Sequence, residues 1–200
     1  MRVDSVTLRA TVADFRKGPG EALPQVAFAG RSNVGKSSLL NALLGTNLAG
    51  VSKQPGKTRT INYYLVNGRY FFVDLPGYGF ARTSMTQRRQ WGAQVSAYLQ
   101  EERRLRLVVG LVDPRIPTSP LDADLVGFVR QAAKPLLMVL TKADKMARGA
   151  LAEAGRRIQR DLELESAPLA VSATTASGCR PLLTAILTTL ENTNDPGQGA

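Results

Sequence analysis

Gly30-Arg31-Ser32-Asn33-Val34-Gly35-Lys36-Ser37 decides how the chain folds, because it lies between the apolar run 25–29 (QVAFA) and the leucine-rich stretch 36–44 (KSSLLNALL). The spacing is G-x-x-x-x-G-K-[ST], the phosphate-binding loop that joins a strand to a helix. Glycine at 30 and 35 permits backbone angles and close approaches that a side chain blocks, so successive amides can point at phosphate oxygens. The helix start adds the unpaired N–H groups of Lys36, Ser37 and Ser38 and the positive end of its dipole. Lys36 is therefore expected at the β- and γ-phosphates of a nucleotide, and the Ser37 hydroxyl on Mg2+.

Downstream, Asp74-Leu75-Pro76-Gly77 closes a second apolar run, 70–73 (YFFV). After a phosphate loop, a D-x-x-G sequence in this position predicts that Asp74 holds Mg2+ through water and that the Gly77 amide senses the γ-phosphate. The segment 77–85 then becomes a nucleotide switch. Between the two motifs, Gly56-Lys57-Thr58-Arg59-Thr60 places two threonines in a basic loop spanning 45–59 and its edge. Thr58, nearer the loop centre, is favoured to close over the γ-phosphate and coordinate Mg2+, while Thr60 adjoins a strand and also reads as a strand former. Lys36, Thr58 and Gly77 are thus the residues expected to act on the transferred phosphate.

Thr141-Lys142-Ala143-Asp144 follows a third apolar run, 135–140 (PLLMVL), at the carboxyl end where ligands bind in open α/β sheets. A carboxylate at 144 can accept from the ring N–H and exocyclic amino group of guanine, a donor pair that adenine lacks. The aliphatic stem of Lys142 can cover one face of the base. Val171-Ser172-Ala173, with Thr174, follows the last predicted strand and offers a backbone N–H to the base carbonyl, although a helix-capping role fits the same residues.

The chain has no histidine, which removes imidazole bases, Ser-His-Asp triads and His-ligated metals. Cys179 is the single cysteine, so an internal disulfide and thiolate zinc sites are excluded and a buried, idle thiol is expected. There are 26 Lys and Arg against 16 Asp and Glu, a formal charge of +10, which favours a polyanionic partner such as RNA. No apolar run reaches the roughly 18 residues of a membrane span, and the N-terminus lacks a secretory pattern, so a cytoplasmic protein with no membrane partner is expected, with a monomer as the default.

The 200 residues, 44% hydrophobic, suit one domain. Strands are predicted at 25–29, 60–66, 69–73, 105–112, 135–140 and 169–172, and helices from 36, from the Ser84/Gln87 capping pair to about 103, from Ser119-Pro120, at 148–162 and at 181–190. Asn67-Gly68 predicts a tight hairpin that supplies the one antiparallel strand of a mostly parallel α/β sheet with helices on both faces. Trp91 and Tyr98 are expected to pack on that sheet rather than stack on bases. Residues 1–23 read as an extension packed on a nucleotide-binding domain at 24–191, and 192–200 as a frayed tail.

The order of these elements resembles a translation-factor-type P-loop GTPase. More narrowly, GRSNVGKSSLLNALL, PGKTRTINYY, DLPGYGFA and TKADK are similar to the EngB (YihA/YsxC-type) family of bacterial GTPases, over about residues 24–190. The resemblance implies a three-layer Ras-like fold, GTP and GDP as ligands, and a switch role on the large ribosomal subunit or its rRNA precursor, with effects on cell division and septation. An alternative is a GTP-dependent rRNA-binding scaffold in which hydrolysis is incidental. Thr141 stands where most GTPases carry Asn, as in similar members, and members often have a histidine near Ile116, after Asp113. Tyr78 follows Gly77 where many GTPases place a water-orienting glutamine, which implies slow intrinsic turnover; Arg31, Arg59 and Arg82 are candidate arginine fingers. In related GTPases an asparagine at the position of Asn33 binds K+, so potassium stimulation is expected unless Asn33 only caps the loop.

Overall fold

The computed structural model describes residues 3–48, 60–79 and 85–192. Alternation of apolar residues along strand β2 (Gln25–Gly30) sends Val26 and Phe28 to one face and Ala27 and Ala29 to the other, and every residue of the strand is buried. A strand covered on both faces belongs at the centre of a parallel sheet. β2 accordingly pairs in parallel with β4 (Tyr70–Asp74) on one side and β5 (Leu105–Val112) on the other. Beyond β5 lie β6 (Leu136–Leu140) and the short β7 (Leu169–Ala170), both parallel. Beyond β4 lie β3 (Ile61–Val66) and β1 (Val6–Val12), giving the order β1-β3-β4-β2-β5-β6-β7.

Strand β3 is antiparallel to both neighbours, so it alone runs against the rest of the sheet. The hairpin that reverses it turns at Asn67 and Gly68, both at positive φ (52° and 63°), the pairing a two-residue type I′ turn requires. β1 has no counterpart among the strands predicted from sequence. It is an edge strand with its register shifted between Leu8 and Ala10, and its residues are only half-buried or exposed.

Helices α1 (Lys36–Leu44) and α5 (Cys179–Asn192) cover one face, packing Leu39, Leu40, Leu43, Leu182, Ile186 and Leu190 on Val26, Phe28, Phe72 and Val109. Helices α2 (Met85–Glu101) and α3 (Pro120–Gln131) cover the other, where Val95, Tyr98, Leu99, Leu125 and Val129 meet Ala27, Phe71, Val73 and Val108. Helix α4 (Arg148–Asp161) extends this second layer through Ile158, beside Val126 and Leu140. This is the three-layer Ras-like arrangement.

Several boundaries differ from the sequence reading. α5 begins at Cys179, two residues before Pro181, because proline lacks an N–H that the first turn does not use. β7 stops at Ala170 because the Ser172 N–H leaves the sheet to donate to the Ser177 carbonyl. Ser84 of the Ser84/Gln87 cap and the tail beyond 192 lie outside the residues described. Cys179 is buried, as expected for an idle thiol, and so is Tyr98, whose hydroxyl donates to Gln25 Oε1 at 2.8 Å.

Leu40 is fully buried one turn from the phosphate loop. Leu40→Ala is expected to lose about 3 kcal/mol of stability through lost burial and a residual cavity. Urea unfolding reads this directly, and an unchanged midpoint would contradict the packing described.

Candidate functional site

The loop that joins β2 to α1 is built by two glycines with different duties. A Cβ on Gly30 would sit 2.9 Å from the Leu111 carbonyl oxygen and 3.0 Å from Val34 Cγ1, so only hydrogen fits between the strand and the loop. Gly35 caps α1 at φ +106°, a backbone angle L side chains rarely adopt, and contributes no side-chain cap to the first-turn N–H groups. The unsatisfied N–H groups of that turn and the helix dipole make this pole suited to anions.

A loop whose amides turn toward a ligand turns its carbonyls toward the protein, and each of those needs a donor. Gly30 O accepts from the Tyr78 N–H (3.3 Å), Arg31 O from the Val34 N–H (3.1 Å) and Gly35 O from the Leu39 N–H (2.9 Å). The remaining donors come from the other end of the sheet. Thr141 Oγ1 donates to Val34 O at 2.7 Å, and Lys142 Nζ donates to Asn33 O at 2.7 Å. Asn33 itself sits at φ +62°, and Lys142 at +55°.

Lys36 and Asp74 come together as an ion pair, their side chains 11% and 9% exposed. After Asp74 the chain crosses the phosphate loop: the Leu75 N–H donates to Phe28 O at 3.1 Å, and Tyr78 O accepts from the Ser32 N–H at 2.7 Å. Gly77 lies so close to Ser32 that an added Cβ would stand 3.3 Å from Ser32 Cα. Tyr78 is buried and its hydroxyl donates to Asp122 Oδ1 at 2.8 Å, in the first turn of α3. Burial first, then the Asp122 charge, raises the Tyr78 phenol well above its ordinary pKa, so it stays a donor. Trp91, packed with the core on the α2 and α3 face of the sheet, lies against the Tyr78 ring, 4.7 Å between centroids, and donates Nε1–H to Pro76 O at 2.9 Å, so it also meets the D-x-x-G segment.

At the far end, the carboxylate of Asp144 accepts from Ser172 Oγ at 2.6 Å. That bond, against some desolvation, holds Asp144 below the usual carboxylate range and therefore ionised at neutral pH. Ser172 Oγ also accepts the Thr175 N–H at 3.1 Å, so it both braces Asp144 and closes a local turn. The Ala143 N–H donates to Val171 O at 3.0 Å, which ties the two base-end loops together. Because the Ser172 N–H is spent on Ser177, the amide suited to an incoming carbonyl is that of Ala173.

The structure thus brings together residues 30–38, 74–77, 141–144 and 171–173 along the carboxyl edge of the sheet. Thr60 is half-buried just before β3, while Gly56, Lys57, Thr58, Arg59 and Arg82 lie outside the described residues. Sequence reasoning missed Asp113, Tyr78 with Asp122, and the Trp91 contact. Asp113 follows the apolar strand β5 as Asp144 nearly follows β6, which was the available signal.

Residues 25–142 match the 50S ribosome-binding GTPase family. A "probable GTP-binding protein EngB" of Syntrophomonas wolfei is 41% identical over 187 residues, 93% of this chain and 97% of the relative. The chain belongs to the EngB family of GTP-binding proteins. A solved structure of a probable GTP-binding protein EngB aligns at TM-score 0.73 and 22% identity over 84% of this chain and 99% of that one. A structure of Era with MgGDPNP and nucleotides 1506–1542 of 16S ribosomal RNA aligns at 0.66 and 23% identity, over 89% of this chain and 59% of Era. These two likenesses establish the P-loop GTPase fold, and the 41% relative establishes EngB membership, under which GTP binding and GTPase character follow.

In this EngB chain the Thr141 hydroxyl also lies 3.2 Å from Val112 O. Thr141→Val keeps the shape and leaves the Val34 carbonyl without its side-chain donor, which is expected to cost about 1–2 kcal/mol. Thermal unfolding and a GDP titration should fall together; wild-type values in both would refute the clamp.

Proposed function

We propose that this chain binds GTP and hydrolyses it slowly to GDP and phosphate with Mg2+, as a cytoplasmic, monomeric switch in assembly of the large ribosomal subunit. Normal cell division and septation depend on it in this reading. The observation that carries the nucleotide assignment is the ionised Asp144 carboxylate, braced by Ser172 and joined through Thr141 and Lys142 to the phosphate loop.

In this reading residues 24–191 form the nucleotide-binding domain, with 1–23 an extension and 192–200 a tail. The amides of 30–38 hold the phosphates, and Lys36 exchanges Asp74 for β- and γ-phosphate oxygens. Asp144 accepts the guanine N–H pair, the Lys142 stem covers the base and the Ala173 N–H meets its carbonyl. Leu75 and Pro76 carry Gly77 to the γ-phosphate. Thr58 closes over it from the first switch loop, with Gly56, Lys57, Arg59 and Thr60 around it.

Mg2+ fits the donors present. Ser37 offers a hydroxyl and Asp74 a carboxylate at the phosphate end, the hard oxygen ligands this ion takes alongside substrate phosphates. Among the described residues no three His, Cys, Asp or Glu gather into a protein-only cage. Ser37 and Thr58 would hold the ion directly and Asp74 through water, and its charge would neutralise the phosphate oxygens. With the Tyr78 hydroxyl engaged by Asp122, no side chain at that position orients water, which supports a slow intrinsic rate. K+ near Asn33 would supply further positive charge.

Support for the large-subunit partner is the match to the 50S ribosome-binding GTPase family and the +10 charge. Among the described residues no helix is long and apolar enough to cross a membrane.

Labelled GDP, with ATP as competitor, tests the site first. Wild type is expected to ignore ATP and Asp144→Ala to lose that preference, and equal competition by ATP would overturn the guanine reading. Turnover is expected to rise with large-subunit particles and with KCl in place of NaCl. A rate indifferent to the particles removes the assembly switch, and one indifferent to the cation removes the potassium reading.

A further inference from the structure

We propose that Asp113 is a positioning residue for guanine-nucleotide binding, acting on the base through Lys142. The inference rests on the reading of Lys142 as the cover of the guanine ring. Asp113 follows the last residue of β5, and its side chain is 6% exposed. Its Oδ2 lies 3.0 Å from Lys142 Nζ, whose remaining bond is to Asn33 O in the phosphate loop. The ammonium of Lys142 is therefore held by two partners, one at the end of β5 and one in the phosphate loop.

Asp113 is held in turn. Arg115 donates its N–H and Nε–H to Oδ1, at 3.1 and 2.9 Å, and a terminal N–H to Oδ2 at 2.7 Å. Burial pushes the carboxyl upward, but these bonds and the one from Lys142 outweigh it and leave it well below the ordinary range. The result is a fixed negative charge that has one outward-facing task, to hold Lys142. A lysine carries several free torsions, and at left-handed φ its backbone alone does not aim the stem. With Nζ held by both Asp113 and Asn33, the four methylenes run between two fixed ends, the backbone at 142 and the ammonium, which presents an apolar rail to a planar base. Ordering that chain before the ligand arrives lowers the entropic cost of binding.

The test is a double-mutant cycle read by labelled-GDP titration and GTP kinetics. Asp113→Asn keeps the shape and an acceptor for Arg115 but loses the charge, and thermal unfolding with the titration stoichiometry reports the folded fraction of each variant. Asp113→Asn and Asp113→Ala are each expected to weaken GDP roughly tenfold, modest because the Lys142 side chain is 30% exposed and partly screened. KM for GTP should rise without a parallel fall in kcat. In a Lys142→Ala background, Asp113→Ala should add nothing. Wild-type affinity in both Asp113 variants, or an undiminished loss in the Lys142→Ala background, overturns the proposal while leaving the base reading intact. If Lys142→Ala itself binds GDP as wild type does, the base reading falls and the proposal with it.

Discussion

Everything at the carboxyl edge of this sheet follows from one constraint on the phosphate loop: a backbone that turns its N–H groups toward a ligand must find donors for the carbonyls it turns inward. Some of these carbonyls are satisfied locally, as Arg31 O and Gly35 O are by Val34 and Leu39. The others, Asn33 O and Val34 O, take their donors from outside the loop. They are met by Lys142 and Thr141, on a segment more than a hundred residues later. Through those bonds the loop proposed to read the base is also bonded to the phosphate loop.

The same constraint reaches the D-x-x-G segment. Gly30 O and the Ser32 N–H are both paired with the Tyr78 backbone, so residues 76–79 run against the phosphate loop like a short extra strand. Their other side is held by Trp91 and Asp122, on α2 and α3. A displacement of Gly77 by a phosphate would thus be felt at two helices on one face of the sheet. The charges are arranged with similar economy. Lys36 faces Asp74, and Asp113 lies between Arg115 and Lys142, so these two nearly buried carboxylates have cationic partners and their desolvation is offset.

Most of this edge is legible in the sequence because its requirements are local. Glycine at 30 and 35, lysine at 36, and acidic residues after apolar runs are demanded by backbone geometry within a few residues of each strand end, and no distant partner is needed to recognise them. The central strands are legible for the same reason, being buried on both faces and apolar throughout. β1 is not, because an edge strand with exposed Thr7, Leu8 and Arg9 carries no strong apolar alternation, and its partner β3 lies about fifty to sixty residues away. Nor are the Lys142–Asp113 and Tyr78–Asp122 contacts, which depend on the order of strands in the sheet. A tyrosine after D-x-x-G announces a missing glutamine in the sequence, yet not where its hydroxyl goes.

That hydroxyl explains why the position after Gly77 is more than a substitution. Asp122 has two oxygens, and both are committed. Oδ2 accepts the Ser119 N–H and hydroxyl at 2.7 Å, the reciprocal cap that starts α3, and Oδ1 takes Tyr78. One carboxylate therefore fixes the helix start and the D-x-x-G segment at once, in a site only 2% exposed. A glutamine at 78 would leave Oδ1 without its phenol and the Trp91 ring without its neighbour, so the water-orienting amide of other GTPases does not fit this scaffold at no cost. The lack of a free side chain at 78 and the tethering of the segment to α3 are two consequences of the same buried bond.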